Sequence, residues 1–445
     1  MVEFILRNKV VLLLFGLWYI VGSLSIPAFF ALGTLTILLL WRKALYFEIF
    51  LGFFFILILS DNLRFQTDFA KVYKNVYILI LTLIAILDRR KFPPTNPLLK
   101  YFLPFIGVGL IALAFSPVIS TGFQKTLSYV LLLYAVPQFF LKSFSDRGPV
   151  IVKDFIFMGI LLIIYGFLMQ FIDYNFAFSH QGRFRAVFGN PNGLGIFTIL
   201  LFGLAYVSRE YFKELFSKAD LRWIFFTIII AMLLSGSRTA VIALTMFFIM
   251  TRFYRLSPLL GFIFFLTVLF TTEIISQNLV AIVNAIGLSD FFRIETLEGG
   301  SGRYIAWNFA WEVIQEKLWL GRGFAFDEWI MSKNEDYLSD LGHQGGVHNT
   351  YLIIWLNTGI IGLALFLHAL FLLFIKASKN VRVAFPILWM VMFSVMLEPW
   401  LAASLNPFTI MFLMVLTLMT DPLFQPYLRG ELTSFQTPDE QKILA

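Results

Sequence analysis

A histidine and two arginines stand where the sequence predicts helices to begin. His348 and Asn349 open the apolar run 349–375, Arg238 follows a Ser-Gly-Ser turn, and Arg303 follows a glycine-rich stretch. The backbone N–H groups of a helix N-terminus, together with a guanidinium, make a strong site for a phosphate group. Histidine has an unperturbed pKa near neutrality, which suits a general base. These residues are therefore candidates for an anion site with a base beside it.

A fourth predicted helix start carries asparagines. Asn190 stands directly before a proline, as is typical of an N-cap followed by the first helical residue, and Asn192 comes two residues later. Arg185 precedes this motif. Ser237 is likewise a candidate N-cap for the helix that begins at Arg238. If the four helix starts converge, they form one anion site.

Two more charged residues are candidates for the same site. Glu398 stands near the end of an apolar segment. A carboxylate there is costly in lipid, so it is expected to face the bundle and to orient an arginine or His348. Arg322 lies between two glycines in the long polar segment that precedes His348. We include it among the candidate substrate-binding residues.

Each of these residues also has a structural interpretation. Arginines commonly place their charge at membrane edges, and Arg303 is compatible with contact to solvent or to a lipid phosphate. His348 alone is compatible with an ordinary interfacial histidine. A metal site is disfavoured because His343 and His348 are five residues apart, off the i,i+4 spacing that binds a metal on a helix face, and because the chain has no cysteine. No metal or other cofactor is expected.

The chain that must position these residues has the composition of a membrane protein. Of its 445 residues 59% are hydrophobic and 14% charged, and its mean hydropathy is +0.82. The predicted fold class is an all-α, polytopic membrane helix bundle with twelve to fourteen transmembrane helices, because the first two segments, split at Pro27, form either a hairpin or one kinked element. The apolar segments lie at 10–26, 27–41, 44–60, 72–88, 98–116, 122–141, 150–173, 192–208, 221–235, 238–253, 257–275, 349–375, 384–400 and 404–420.

Lysines and arginines collect in alternate loops, which predicts the orientation. Together with both termini these loops are expected to be cytoplasmic, and this distribution accounts for the net charge of +7 without a nucleic-acid partner. The predicted layout has N-terminal transmembrane helices at 1–190, central ones with the external arginine turn at 191–275, a large periplasmic loop at 276–348, C-terminal helices at 349–420 and a cytoplasmic tail at 421–445.

The periplasmic loop is expected to contain an amphipathic helix from Arg303 to Leu320. One face is apolar and the opposite face carries polar residues, with tryptophans suited to the lipid headgroup level. Residues 299–302 form a flexible lead-in, and the glycines around Arg322 stop the helix. The apolar face consists of Ile305, Ala306, Phe309, Ala310, Val313 and Ile314.

Five motifs in one order carry a family resemblance. They are FGNPNGLG, SGSRTAV, SGRYIAW, LGRGF and HNTYLIIWLNTGIIGLALF. With the long loop before the final helices, this order resembles the O-antigen ligase and O-antigen polymerase superfamily over residues 185–420. The histidine motif, with Thr358, Gly359 and Gly362 downstream, is the most specific part.

The resemblance implies a metal-independent glycosyltransferase at the outer face of a bacterial inner membrane. Its donor is expected to be a glycan on undecaprenyl diphosphate. Arg238 and Arg303 are then expected to neutralise the diphosphate leaving group. His348 is expected to take the proton from, or to orient, the acceptor hydroxyl. The donor site is expected to be shaped by Arg185, Asn190, Asn192, Ser237, Arg322, Asn349 and Glu398.

The acceptor is not determined by these motifs. Ligation to a lipid A-core acceptor is the first hypothesis, and polymerisation of repeat units onto a lipid-linked glycan uses the same donor chemistry. A lipid-glycan flippase or exporter is a more distant alternative, which favours ionisable residues along a mid-membrane path rather than at one face. A third alternative is a non-catalytic partner in envelope assembly. Membrane lipids surround the chain in every case.

Overall fold

Helices are the regular secondary structure in the part of the chain that the structure describes. The computed structural model describes residues 1–94, 98–257, 259–264, 266–267, 302–403 and 405–428. These ranges contain no β-strand, only one isolated bridge between Phe178 and Phe184. The predicted all-α class is therefore confirmed. The predicted lead-in at 299–301, most of the segment 257–275 and the tail from 429 onward lie outside the described residues.

The helices follow one another with short connections. In chain order they are α1 (Val2–Leu24), α2 (Ile26–Arg42), α3 (Tyr46–Asp61), α4 (Asp68–Leu87), α5 (Leu98–Ala112), α6 (Ile119–Arg147), α7 (Val150–Met169), α8 (Tyr174–Ala177), α9 (Pro191–Tyr211), α10 (Lys218–Ser235), α11 (Arg238–Leu256), α12 (Arg303–Glu316), α13 (Phe326–Lys333), α14 (Glu335–Asp340), α15 (Thr350–Ser378), α16 (Ala384–Leu397), α17 (Pro407–Thr420) and α18 (Gln425–Leu428). Short 3₁₀ turns occupy Phe65–Thr67, Arg89–Lys91, Leu113–Phe115 and Pro422–Phe424.

Eight of the described helices are long and apolar enough to cross a membrane by length and composition. A ninth span results if the bent pair Pro407–Thr420 and Pro422–Leu428 counts as one. The multi-pass helix bundle is thus confirmed. The count of twelve to fourteen spans stays a prediction. To reach it, four further helices of 14 to 18 residues, namely α2, α3, α10 and α16, must also cross the membrane.

The first two helices form a hairpin. Ser25 separates them and caps α2 by accepting a hydrogen bond from the backbone N–H of Ala28 at 3.3 Å. Trp18 on α1 reaches Thr36 on α2, with 3.5 Å between Nε1 and Oγ1. Trp18 lies seven residues before Ser25 and Thr36 lies eleven residues after it. Their side chains can meet only if the two helices run side by side, so a single kinked helix is excluded.

The loops sort to two ends of the bundle as the charge pattern predicts. At one end lie contacts among the loops predicted to be external: Gly189 to Asp61, Asn62 to Val187, and Arg183 to Ser235. At the other end lie contacts among those predicted to be cytoplasmic: Arg7 to Asp154, Arg147 to Glu48, Lys153 to Asp220, and Phe144 to Phe424. Which end faces the cytoplasm stays a prediction.

Three helices form the centre of the bundle. Every residue of α17 is buried, and α3 is buried from Tyr46 to Ser60. Helix α9, buried along nearly its whole length, packs against α17. A helix that is hydrophobic on all sides is stable only when other helices surround it, which is why these three lie inside.

The predicted amphipathic helix is present as α12 but is shorter than expected. It ends at Glu316 because Lys317 leaves the helical conformation. Four of the six predicted apolar-face residues are buried, and this face packs against the first turns of α15. Trp307 also donates from Nε1 to the carbonyl of Val347 at 3.0 Å. Helix α12 is therefore fixed to the segment that precedes α15.

A break in α15 fixes the rest of the loop. Gly359 has φ 68° and ψ −179°, a conformation essentially confined to glycine. The break frees backbone groups that pair with the loop: Arg322 N–H donates to the carbonyl of Leu356 at 3.2 Å, and Ile360 N–H donates to that of Leu318 at 2.9 Å. Freed backbone groups at membrane depth need such partners.

We expect Gly359→Ala to destabilise the protein. The backbone conformation alone costs an alanine about 1–3 kcal/mol, and its Cβ would also overlap the carbonyl group of Trp319. The measurement is the thermal unfolding temperature in detergent. The matched control is Gly107→Ala in α5, where a Cβ meets nothing within 4 Å. Equal unfolding temperatures for the two variants would contradict the expectation.

Candidate functional site

Glu398 is the point at which three helix ends meet. Its carboxylate oxygen Oε1 accepts from Arg303 Nη2 and from Asn192 Nδ2, both at 2.9 Å. Its backbone carbonyl accepts from Thr350 Oγ1 at 3.1 Å. Arg303 begins α12, Asn192 lies in the first turn of α9, and Thr350 begins α15. The C-cap of α16 therefore holds the starts of α9, α12 and α15 together.

Arg183 joins the fourth helix start to this group. Its Nη2 donates to Asn192 Oδ1 at 2.7 Å, and its Nε donates to the carbonyl of Ser235 at 2.8 Å. The Ser235 carbonyl closes α10 directly before the turn to α11, and the partly exposed Arg238 is the first residue of α11. The structure thus brings the four predicted helix starts to one place.

The charges of this cluster favour an anion. Glu398 contributes one carboxylate, and Arg303 and Arg183 contribute two guanidinium groups. Burial raises the pKa of Glu398 above its usual range, while Arg303 and the hydrogen bond from Asn192 act in the opposite direction. The N-termini of α9, α11, α12 and α15 add the positive ends of their dipoles. We name this group of Arg183, Asn192, Arg303 and Glu398 the Glu398 cluster.

His348 lies beside the Glu398 cluster in a strained backbone conformation, with φ 53°. Its side chain is partly buried, and among the described residues its Nδ1 has no hydrogen-bond partner. Burial, followed by the charge of Arg303 and the neighbouring His343, lowers the pKa of His348 to about 4. The imidazole is therefore neutral near pH 7 and can accept a proton.

A cavity of about 240 Å³ adjoins the glycine segment that precedes this histidine, and His348 is not among the residues that line it. Gly345 and Gly346 line it together with Glu328 and Ser332 of α13. A Cβ on Gly345 would lie 3.3 Å from His348 Nε2, so the glycine leaves that edge of the ring open. His343 fixes the glycine segment because its Nε2 donates to the Gly346 carbonyl at 3.2 Å. The cavity therefore lies next to the segment that positions His348.

Three predicted site residues act as N-caps. The side-chain oxygens of Asn190 and Ser237 accept from the backbone N–H groups of Gly193 at 2.8 Å and of Ala240 at 3.4 Å. Asn349 accepts from the N–H groups of the second and third residues of α15 at 2.9 and 3.2 Å. These contacts give the three residues a structural role, and their role toward a substrate stays a prediction.

Two predicted arginines lie apart from the Glu398 cluster. Arg185 donates to the carbonyls of Asn175 at 2.6 Å and Gly189 at 3.2 Å. Burial, and next the charge of Arg64, lowers the pKa of Arg185. Arg322 pairs with Glu316, and its guanidinium lies 5.0 Å from the ring centre of the residue that begins α13. Both arginines are already held by their own neighbours.

Arg183 belongs to the Glu398 cluster and Thr350 contacts the Glu398 carbonyl, but neither was among the predicted site residues. Arg183 stands only two positions before Arg185, and nothing local distinguishes the two. Thr350 directly follows His348 and Asn349, so its position at a predicted helix start could have marked it as a site residue. Within the described ranges no group of three or more His, Cys, Asp or Glu side chains could hold a metal ion; independence from metal stays a prediction.

Comparison with known families identifies one segment. Residues 223–367, about a third of the chain, match the family model described as O-antigen ligase. This segment contains Arg238, Arg303 and His348, whereas Asn192 and Glu398 lie outside it. The resemblance to the O-antigen ligase and polymerase superfamily is therefore confirmed over this segment. No curated protein matches the chain.

Proposed function

We propose, from the O-antigen ligase family segment at residues 223–367, that this protein is a membrane glycosyltransferase. It transfers a glycan from undecaprenyl diphosphate to an acceptor hydroxyl at the periplasmic face of a bacterial inner membrane. The observation that carries the proposal is the meeting of four helix N-termini and two arginines at Glu398, next to the neutral His348.

The donor diphosphate binds at the Glu398 cluster in this proposal. Arg303 exchanges part of its contact with Glu398 for a phosphate oxygen, and Arg238 approaches the same group from the start of α11. Two guanidinium groups and the surrounding N–H groups then stabilise the negative charge that develops on the leaving diphosphate. This arrangement supplies, without a metal ion, the charge stabilisation that a cation would otherwise provide.

The acceptor hydroxyl binds beside His348. The hydroxyl oxygen attacks the anomeric carbon, the bond from that carbon to the diphosphate oxygen breaks, and its electron pair leaves with undecaprenyl diphosphate. His348 takes the hydroxyl proton, because its imidazole is neutral. The cavity of about 240 Å³ lined by Gly345 and Gly346 accommodates another part of the acceptor.

Transfer is expected to have no acid limb near pH 6.5. An ordinary histidine loses its base function as the pH falls through about 6.5. Because burial lowers the pKa of His348 to about 4, protonation begins only as the pH approaches that value. The rate of transfer should therefore be nearly constant from about pH 5.5 to 7. An inflection between about pH 6 and 6.5 would contradict this assignment of His348.

The decisive experiment reconstitutes the purified protein with a lipid-linked glycan. A lipid A-core acceptor and a second lipid-linked glycan are offered separately, and released undecaprenyl diphosphate is measured. Release with the lipid A-core acceptor supports the proposed ligase. Release only with the lipid-linked glycan identifies a repeat-unit polymerase. Movement of the glycan lipid across the bilayer without release identifies a flippase and ends the transferase proposal.

The predicted orientation can be tested because the chain has no cysteine. Asp340 at the end of α14 and Lys43 after α2 are both exposed. We expect Asp340→Cys to react with a membrane-impermeant maleimide in intact spheroplasts, and Lys43→Cys to react only after permeabilisation. The reverse pattern would place the Glu398 cluster at the cytoplasmic face.

A further inference from the structure

A second charged cavity lies at the opposite end of the bundle from the Glu398 cluster. It has a volume of about 600 Å³ and is lined by Arg7, Glu48, Arg147 and Asp154. Glu48 lies in the first turn of α3, whose last residue bonds to the loop before α9, so the helix of 16 residues separates the two ends by about 24 Å. This distance makes the cavity independent of the proposed transfer reaction.

The four charges of the cavity form two pairs. Arg7 donates to Asp154, with Nε at 3.3 Å from Oδ2, and Asn8 donates to the same carboxylate at 3.1 Å. Arg147 pairs with Glu48. The formal charge of the four side chains is therefore zero. An anionic ligand meets no excess of positive charge here, whereas a ligand that carries both signs can contact both pairs.

One acceptor in the cavity lacks a donor. The side chain of Glu48 is only 9% exposed, and within the described part of the chain its buried Oε2 has no hydrogen-bond partner. A buried polar atom without a partner is costly, and a buried carboxylate oxygen more so. The side chains of Arg7 and Arg147 keep about a third of their surface exposed, at 33% and 32%. The cavity wall thus carries one acceptor that lacks a donor and two partly exposed arginine side chains.

The remaining wall is apolar and reaches the outer surface of the bundle. Val10, Val11 and Leu14 of α1 and Leu40 of α2 line it, and Val10 is 70% exposed. The charged residues lie where α6 ends and α7 and α3 begin, the level at which helices of a membrane protein meet the lipid headgroups. A polar group in the cavity can therefore continue into hydrocarbon chains along α1 and α2.

We propose that this cavity binds one phospholipid whose headgroup carries a phosphate and a primary ammonium. The ammonium donates to Glu48 Oε2, and the phosphate accepts from Arg7 and Arg147. The acyl chains follow the apolar wall of α1 and α2. A trimethylammonium headgroup has no N–H to donate, and a glycerol headgroup has no cation, so neither satisfies Glu48.

Native mass spectrometry of the full chain in detergent tests the proposal with three lipids. Phosphatidylethanolamine should bind about tenfold more tightly than phosphatidylcholine or phosphatidylglycerol, as expected for one hydrogen bond to a charged group. Equal binding of the three lipids, or tighter binding of phosphatidylglycerol, overturns the proposal. Soluble glycerophosphoethanolamine should compete only weakly. Competition equal to that of the lipid would identify a site for a free zwitterion and overturn the role of the apolar wall.

Two variants locate the bound lipid. Glu48→Gln should abolish the preference for phosphatidylethanolamine and favour phosphatidylglycerol, because Arg147 then lacks its carboxylate. The matched control is Glu3→Gln, since Glu3 also approaches Arg7, at 3.6 Å, but is 83% exposed; it should keep the preference. Leu40→Trp fills the cavity without changing a charge and should reduce binding of all three lipids. Retained preference in Glu48→Gln together with undiminished binding in Leu40→Trp places the lipid elsewhere.

Discussion

Replacing His348 with alanine is expected to lower the rate of glycan transfer by about 10²–10⁴-fold, the usual contribution of a positioned general base. The neutral imidazole of His348 is the group that takes the acceptor proton in the proposed reaction. Donor binding should be largely preserved, because the arginines of the Glu398 cluster remain. The measurement is single-turnover release of undecaprenyl diphosphate, together with equilibrium binding of the donor.

The histidine within α15 provides the control for this variant. His368 lies within α15 and is exposed, 20 positions beyond His348, which precedes the helix. His368→Ala should transfer at the rate of the unchanged protein. If His348→Ala also keeps its rate, or if it loses donor binding and transfer in equal measure, His348 is not the base and serves only to shape the loop.

The helix starts of the site were predictable because their signals are local. A side-chain oxygen followed by helix-forming residues marks an N-cap, and Asn190, Ser237 and Asn349 each cap the helix predicted for them. The face of α12 was predictable for the same reason, since its buried residues recur with helical spacing. Its end was misplaced, because Lys317 interrupts the helix without a glycine or proline to signal it.

The contacts that assemble the site were not predictable in the same way. Arg303 and Glu398 are 95 residues apart, and Asn192 and Glu398 are 206 apart. No periodicity connects such positions, because the contact depends on how whole helices pack. Glu398 was expected to orient an arginine or His348. The packing of the helices places Arg303 in contact with it. The same packing gives Arg185 and Arg322 other partners, although their local sequence resembles that of the site.

Replacing Arg303 with alanine is expected to lower transfer by about 10²–10³-fold, the typical loss of one group that stabilises charge in a transition state. The same substitution leaves the buried Glu398 without its ion pair, which alone destabilises a protein by about 3–5 kcal/mol. A loss of activity in this single variant therefore has two possible causes. The control for the charge is Lys317→Ala at the other end of α12, where the lysine is exposed; it should keep its activity.

The double variant Arg303→Ala with Glu398→Gln separates the two causes. Glutamine keeps an oxygen that accepts from Asn192 but removes the charge, so the unfolding temperature should return toward that of the unchanged protein. If Arg303 binds the donor diphosphate, transfer and donor affinity stay low in the double variant because no cation replaces the guanidinium. If transfer recovers together with stability, Arg303 serves only to neutralise Glu398, and the diphosphate must be held by Arg183 and Arg238 instead.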